Sequence, residues 1–170
     1  YNEADRLSVN KFVDYLLQNK HVHFYFIDDG STDNTIIILN EIMSKINSNV
    51  TLLKNESNKG KAESVRLGVI ESFSMNPDFI GYLDADLAAP IEEIDHLLNI
   101  IKADTKKEVV FASRIQLIGN EIKRNYLRHF IGRVFATCVS ILLKIQIYDT
   151  QCGAKIFSKK ICEEIFMEKF

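Results

Sequence analysis

The chain has 170 residues, enough for one domain with a hydrophobic core. An apolar fraction of 46% and a charged fraction of 26% are ordinary for a globular protein, and a net charge of −2 disfavours a dedicated nucleic-acid binder, which carries a strongly basic face. The three cysteines have no C-x-x-C spacing, which disfavours a disulfide framework or a thiolate zinc site and favours a reducing, cytoplasmic setting.

Hydrophobic periodicity predicts that helices and strands alternate along most of the chain. The first helix is expected to bury Val9, Phe12, Val13, Leu16 and Leu17. Strands are predicted over residues 21–27, 50–53, 79–83 and 108–113. Later helices are predicted over residues 62–73 and 91–101, and one more begins at an N-cap supplied by Ser31, Thr32 or Asp33.

This alternation is typical of an α/β fold in which a mostly parallel sheet is flanked by helices, because parallel neighbours need crossover connections. In such a fold a strand should precede the first helix, so we expect that the first strand is missing from this sequence. No internal repeat, linker or low-complexity tract interrupts residues 1–170, which predicts a single domain.

Residues 114–148 differ in composition from the rest of the chain. Six lysines and arginines stand there against a single acid, Glu121, and they flank an apolar run that is too short to span a bilayer. The stretch could form a basic amphipathic helix at a membrane surface, or a core helix with a solvated basic edge. From the residues alone the core helix is favoured.

The common nucleotide-binding fingerprints are missing from the sequence. No G-x-G-x-x-G motif follows a predicted strand, and Ala62 follows Gly60-Lys61 where a P-loop needs a serine or threonine. We therefore interpret Lys59 and Lys61 as solvated loop charges.

Asp84-x-Asp86, directly after a predicted strand, is the sharpest local signal for chemistry. Two carboxylates at this position could hold a hard divalent cation, which could in turn bridge the oxygens of a diphosphate. Acidic residues also terminate strands and cap helices without binding any ligand, so this motif alone leaves both interpretations open. Asp28 and Asp29 likewise follow a strand and could accept hydrogen bonds from a base or ribose, whereas Ser31 and Asp33 suit a turn and an N-cap.

Several short motifs occur in one order along the chain. They are Tyr1-Asn2-Glu3, Asp28-Asp29-Gly30-Ser31-Thr32-Asp33, Asn58-Lys59-Gly60-Lys61, Asp84-Ala85-Asp86, Ser113-Arg114 and Asp149-Thr150-Gln151-Cys152-Gly153-x-Lys155. This combination resembles the family 2 glycosyltransferases, which have a Rossmann-like, nucleotide-sugar-binding fold of the GT-A type. The last motif resembles more narrowly the polyprenyl-phosphate sugar transferases of the dolichyl-phosphate β-glucosyltransferase type. The resemblance implies a nucleotide-binding half over about residues 1–90 and an acceptor-side half over about residues 91–170.

The resemblance also implies roles for individual residues. It places Tyr1, Glu3, Ile27, Asp29, Asp84 and Ala85 around the nucleotide, with Asp84 and Asp86 as the metal pair. It places Arg114 near a phosphate of the donor or acceptor, Lys155 near the transferred group and Arg128 at an acceptor lipid phosphate. Some relatives have a glutamine where this chain has Ala88, so metal affinity or geometry is expected to differ.

The implied reaction is a metal-dependent, inverting transfer of a sugar from a nucleotide-diphosphate donor of the UDP-glucose or GDP-mannose type. Mg²⁺ or Mn²⁺ would stabilise the leaving diphosphate. A lipid-phosphate acceptor could attack without a base, whereas a hydroxyl acceptor would need a carboxylate, for which Asp149 is the candidate. A lipid acceptor would place the domain at the cytoplasmic face of a membrane, where the basic stretch could make contact. A transferase acting on cell-surface polysaccharide and a non-catalytic nucleotide-sugar module remain alternatives.

Overall fold

The computed structural model describes residues 1–46, 48–113 and 152–168. Its helices are α1 (Val9–Gln18), α2 (Thr35–Lys45), α3 (Lys61–Ser72), α4 (Glu93–Lys102) and α5 (Lys159–Phe166), and a short 3₁₀ turn (Phe73–Met75) follows α3. Its strands are β1 (Phe24–Asp28), β2 (Val50–Lys54), β3 (Phe79–Leu83), β4 (Val109–Phe111) and β5 (Ala154–Ser158). The fold is therefore mixed α/β, as the alternating periodicity predicts.

The strands form two small sheets rather than one. β1 and β2 pair in parallel, whereas the other sheet has the order β3-β5-β4 and both of its pairings are antiparallel. The expectation of a mostly parallel sheet is therefore wrong for the described part of the chain. The reason is β5, which comes late in the sequence and inserts between β3 and β4, so that neither of these strands meets a parallel neighbour.

The core is divided among three layers of side chains. One lies between α1, α2 and β1, the second between α4 and β5, and the third between α3, α5 and β3. In α1 the buried side chains are Phe12, Val13, Tyr15 and Leu16, whereas Leu17, expected inside, is 50% exposed. Tyr15 is buried although the pattern did not predict it, and its phenol hydroxyl donates to Asp95 Oδ1 at 2.9 Å, which satisfies the polar end of the side chain.

A cleft of about 900 Å³ separates the two sheets. Every residue of 21–29 and of 77–86 lines it, so β1 and β3 face each other across the cleft. Since side chains alternate between the faces of a strand, a lining of consecutive residues means that the edges of β1 and β3 border the cleft. The cleft ends at the acidic turns that follow these two strands.

Candidate active site

Two acidic turns meet at one end of the cleft. Asp28 is the last residue of β1 and Asp29 follows it, and residues 84–88, which we call the acidic turn, follow β3. Tyr1 and Glu3 line the cleft beside both turns. The structure therefore brings together the predicted residues of the first, second and fourth motifs, which lie as much as 85 positions apart (86 − 1).

The acidic turn is held by its own backbone. Leu87 N–H donates to Asp84 O at 3.1 Å, and Ala88 N–H donates to Asp86 Oδ1 at 3.1 Å. Leu87 has φ of 51°, a left-handed conformation that costs a non-glycine residue about 1 kcal/mol or more. Both carboxylates remain about one-third exposed, so the turn presents them to a ligand. Ala88 contributes only its backbone N–H.

Pairing of β5 with β3 brings the late motif to the acidic turn. Asp84 N–H donates to Gly153 O at 2.8 Å, directly beyond the pair Leu83↔Ala154. A Cβ on Gly153 would overlap the Asp84 side chain, so any larger residue here would force that carboxylate to move. Lys155 pairs with Tyr82, and its Nζ lies 5.6 Å from the centre of that ring. The late motif thus supplies a tight packing position and a cation.

Each carboxylate of the acidic turn is paired with a cation of the chain. Lys61 Nζ lies 2.6 Å from Asp84 Oδ1, and Arg6 Nη1 lies 3.5 Å from Asp86 Oδ2. The interpretation of Lys61 as a loop charge is therefore wrong: it is the first residue of α3 and reaches across the cleft. Sequence reasoning missed it because nothing next to Lys61 in the sequence shows that its side chain meets the Asp84 carboxylate.

The acidic turn suits a cation that shares its ligands with a phosphate. Among residues 1–46, 48–113 and 152–168, no group of three or more His, Cys, Asp or Glu side chains could enclose a metal. Mg²⁺ commonly binds through one or two carboxylates and completes its octahedron with water and substrate phosphates. Asp84 and Asp86 fit that donor set, whereas a dedicated all-protein metal site does not.

Asp29 is buried and serves as the anchor of the loop between β2 and α3. Its Oδ1 accepts from Asn55 Nδ2 at 2.8 Å and from Lys59 N–H at 2.9 Å, and its Oδ2 accepts from Gly60 N–H at 2.9 Å. Burial acts to raise the pKa of Asp29, but the hydrogen bonds from Lys59, Asn55, Ser64 and Gly60 outweigh it and lower the pKa below its ordinary value. Asp29 is therefore held as a carboxylate.

Two buried carboxylate oxygens have no hydrogen-bond partner within the described residues. They are Asp28 Oδ2 and Glu3 Oε2, and both residues line the cleft. The other oxygens are used, since Asp28 Oδ1 accepts from Ser31 N–H at 3.2 Å and Glu3 Oε1 pairs with Arg6 at 2.6 Å. Unpaired buried acceptors are costly, so this end of the cleft is suited to a ligand that donates hydrogen bonds. Asp28 was named only within its motif, and the order of residues gave no sign that it would be the more deeply buried acid.

The first motif is tied to the second by hydrogen bonds. Glu3 N–H donates to Thr35 Oγ1 at 2.8 Å, Asn2 N–H donates to Ser31 Oγ at 3.0 Å, and Thr32 N–H donates to Asn2 Oδ1 at 2.9 Å. These bonds hold Glu3 over the end of β1. Tyr1 is half exposed beside them.

The remaining predicted residues divide between the cleft and the undescribed part of the chain. Ile27 and Ala85 are half-buried and line the cleft, and Ile27 packs against Gly68 of α3, where any larger residue would collide with it. Arg114, Arg128 and Asp149 lie outside the described residues, as does the basic stretch 114–148. Within the described ranges, no helix has the length and apolarity to cross a membrane.

Comparisons with known proteins point to one family. The profile described as Glycosyl transferase family 2 matches residues 1–166. A dolichyl-phosphate β-glucosyltransferase of Trichomonas vaginalis is 33% identical over 178 aligned residues, covering 98% of this chain and 52% of the relative. The dolichyl-phosphate β-glucosyltransferase of Saccharomyces cerevisiae is 29% identical and covers 98% of this chain and 54% of its own. An uncharacterised protein of Methanocaldococcus jannaschii is 31% identical over 88% of this chain. The chain spans about half the length of the two named transferases it matches.

Proposed function

Because the chain belongs to glycosyl transferase family 2, we propose that it is a single GT-A-type catalytic domain that moves a sugar from a nucleotide-diphosphate sugar to a polyprenyl phosphate of the dolichyl type. The observation that carries the proposal is the convergence of the acidic turn, Gly153 and Lys155 at the end of a cleft that also holds unpaired carboxylate oxygens. The charged groups suit a diphosphate with its metal ion, and the unpaired oxygens suit the hydrogen-bond donors of a nucleoside. A nucleotide-diphosphate sugar needs both kinds of group side by side. The proposal assigns the nucleotide to about residues 1–90 and the acceptor to about residues 91–170.

The nucleoside would bind at this end of the cleft, on the side bordered by β1. Asp28 Oδ2 and Glu3 Oε2 are acceptors without partners among the described residues, and base N–H or ribose hydroxyl groups would supply the missing donors. Tyr1, half exposed beside them, offers a ring against which a base can stack. Asp29 shapes this pocket by holding residues 59–60 in place, and its Oδ2 keeps capacity for a further donor.

The diphosphate would bind at the same end of the cleft, on the side bordered by β3. Asp84 and Asp86 would hold Mg²⁺ or Mn²⁺, which when bound neutralises the charge that develops on the departing nucleotide diphosphate. Lys155 supports the same site with a compact positive charge on the strand next to β3. Tyr82 fixes the direction of the Lys155 side chain by lying under its ammonium group. The chain therefore offers both acidic ligands for the metal and a basic group for the phosphates.

The acceptor is inferred from the relatives. Those of Trichomonas vaginalis and Saccharomyces cerevisiae are named dolichyl-phosphate β-glucosyltransferases. A lipid phosphate is anionic at neutral pH and can attack the anomeric carbon, opposite the leaving diphosphate, without a general base. Arg114 and Arg128 are proposed to hold that phosphate, and Asp149 to orient Lys155 or act as base for a hydroxyl acceptor. The domain would then work at the cytoplasmic face of a membrane.

A donor screen tests the proposal directly. The chain is incubated with Mn²⁺, a short polyprenyl phosphate and either UDP-glucose or GDP-mannose, and the released nucleoside diphosphate is measured. We expect release with one donor only, and a loss of at least tenfold in Asp86→Ala. Asp14→Ala, an exposed acid on α1, is the control and should retain full turnover. Binding of the donor without transfer would support a non-catalytic module, and turnover unchanged by Asp86→Ala would overturn the metal assignment.

A further inference from the structure

We propose that Lys61 acts as an exchangeable counter-ion: it occupies Asp84 while the site is empty, and it transfers to the donor's diphosphate when a divalent cation takes that carboxylate. The proposal rests on the function proposed above, because it concerns the same acidic turn. It adds a residue that sequence reasoning had set aside as a loop charge. It also predicts how the cation and the nucleotide affect each other's binding.

The ion pair between Lys61 and Asp84 is close but exposed. Nζ and Oδ1 are 2.6 Å apart, while the Lys61 side chain is 63% exposed and that of Asp84 is 30% exposed. Exposed pairs of this kind contribute little to stability and exchange readily with solvent ions. A divalent cation bound through Asp84 would face the Lys61 ammonium at contact distance, and like charges so close repel strongly. The two cations are therefore alternatives at this oxygen.

The main chain keeps Lys61 at the site after it leaves Asp84. Backbone N–H groups of Lys59 and Gly60 donate to Asp29, each at 2.9 Å, and Gly60 has a left-handed φ of 88° that favours glycine. Lys61 follows immediately as the first residue of α3. The backbone of Lys61 is thus fixed on the β1 side of the cleft, while its side chain reaches the β3 side. One short segment joins the proposed nucleoside and diphosphate positions.

Tyr82 brings a second lysine to the same place. Lys61 Nζ lies 6.0 Å from the centre of the Tyr82 ring, and Lys155 Nζ lies 5.6 Å from it. When a divalent cation neutralises the acidic turn, these ammonium groups leave an excess of positive charge around the ring. A site with this excess favours an anion that carries several negative charges, as a nucleoside diphosphate does. Lys61 then has a new partner of opposite charge within reach.

The proposal predicts effects of opposite sign from one substitution. Lys61→Met removes the competitor for Asp84, so Mn²⁺ alone should bind about two- to fivefold more tightly. The same change removes a phosphate contact, so UDP or GDP in saturating Mn²⁺ should bind about three- to tenfold more weakly. A residue that only stabilises the loop would weaken both. Lys61→Arg keeps the charge and should return both affinities toward those of the wild type.

Lys59→Met is the matched control, because it removes the same charge two positions earlier, in the loop that precedes α3. Free Mn²⁺ is measured by electron paramagnetic resonance, UDP and GDP binding is measured by calorimetry, and circular dichroism verifies folding. Equal Mn²⁺ affinities for Lys61→Met and Lys59→Met would overturn the role of Lys61 while leaving the metal assignment intact. Failure of the wild type to bind Mn²⁺ at all would instead overturn the proposed function, and this inference with it.

Discussion

Replacing Asp29 by asparagine tests whether the loop that carries Lys61 is held by a carboxylate. Asp29 Oδ1 accepts hydrogen bonds from Asn55 and Lys59, its Oδ2 accepts one from Gly60, and the residue is 5% exposed. Asparagine has the same shape but only one acceptor oxygen. If that oxygen takes the place of Oδ1, its amide group is left facing the Gly60 N–H, donor against donor.

The cost follows from the bonds lost. Hydrogen bonds to a charged group contribute about 1.5–3 kcal/mol each, and the Gly60 N–H that loses Asp29 Oδ2 keeps Asn58 Oδ1 as an acceptor at 3.0 Å. Because asparagine keeps the two bonds at Oδ1, we expect Asp29→Asn to lower the free energy of unfolding by about 2 kcal/mol. For a chain of this size that corresponds to a fall in Tm of about 4–8 °C.

Thermal and urea unfolding followed by circular dichroism measure this loss. Asp14→Asn, on the exposed face of α1, is the control and should change the unfolding free energy by less than about 0.5 kcal/mol. The pKa of Asp29 is lowered in the folded state, so its contribution is present above the ordinary pKa of an aspartate and is lost as pH falls through the folded value. The difference between wild type and variant should therefore shrink on acidification. Equal stability of the two proteins at pH 7 would refute the anchoring role of Asp29.

Three further predictions concern other parts of the structure. Gly153→Ala should weaken Mn²⁺ binding in the same resonance titration, because its Cβ displaces the first carboxylate of the acidic turn; unchanged affinity would contradict the packing described. Cys162 should stay unmodified by a thiol reagent at pH 8 in mass-spectrometric mapping, because burial raises the pKa of its thiol to about 12; rapid labelling of the native protein would oppose this. Burial lowers the pKa of His23, so below about pH 6.5 the unfolded chain binds more protons than the folded one, and the free energy of unfolding decreases as the pH is lowered. In urea unfolding over that pH range, His23→Gln should therefore lose less stability on acidification than His21→Gln, and equal losses would contradict this.

Local patterns predicted most of the described elements. The strand over residues 79–83 has the predicted bounds. α3 begins and ends one residue earlier than predicted, and β2 ends one residue later. Each of these segments is short and carries its own apolar pattern, a helical period in α3 and an apolar run in β2 and β3, so the local sequence is enough to place it. The local pattern could not predict that Tyr15 is buried, because the partner of its hydroxyl group is Asp95, which lies 80 positions further along the chain.

Contacts between distant segments could not be predicted in the same way. β5 pairs with β3 across about seventy positions, and that pairing makes one sheet antiparallel and brings Gly153 to Asp84. The order of the motifs predicted that Asp84, Asp86 and Lys155 serve the same reaction. Only the pairing of β3 with β5 explains how Lys155 comes to lie near the two acids. Lys61 was missed because its meaning depends on the carboxylate that it meets rather than on the residues beside it.

The cleft between the sheets is bordered by two strand edges. Within residues 1–46, 48–113 and 152–168, β1 and β3 are each the last strand of their sheet on the side that borders the cleft, so their backbone N–H and C=O groups there form no ladder with each other. Open strand edges accept additional strands, whether from the same polypeptide or from another molecule. A strand that paired with either edge would lie beside the acidic residues that end β1 or follow β3, so an added strand and the proposed nucleotide site would share the same border of the cleft.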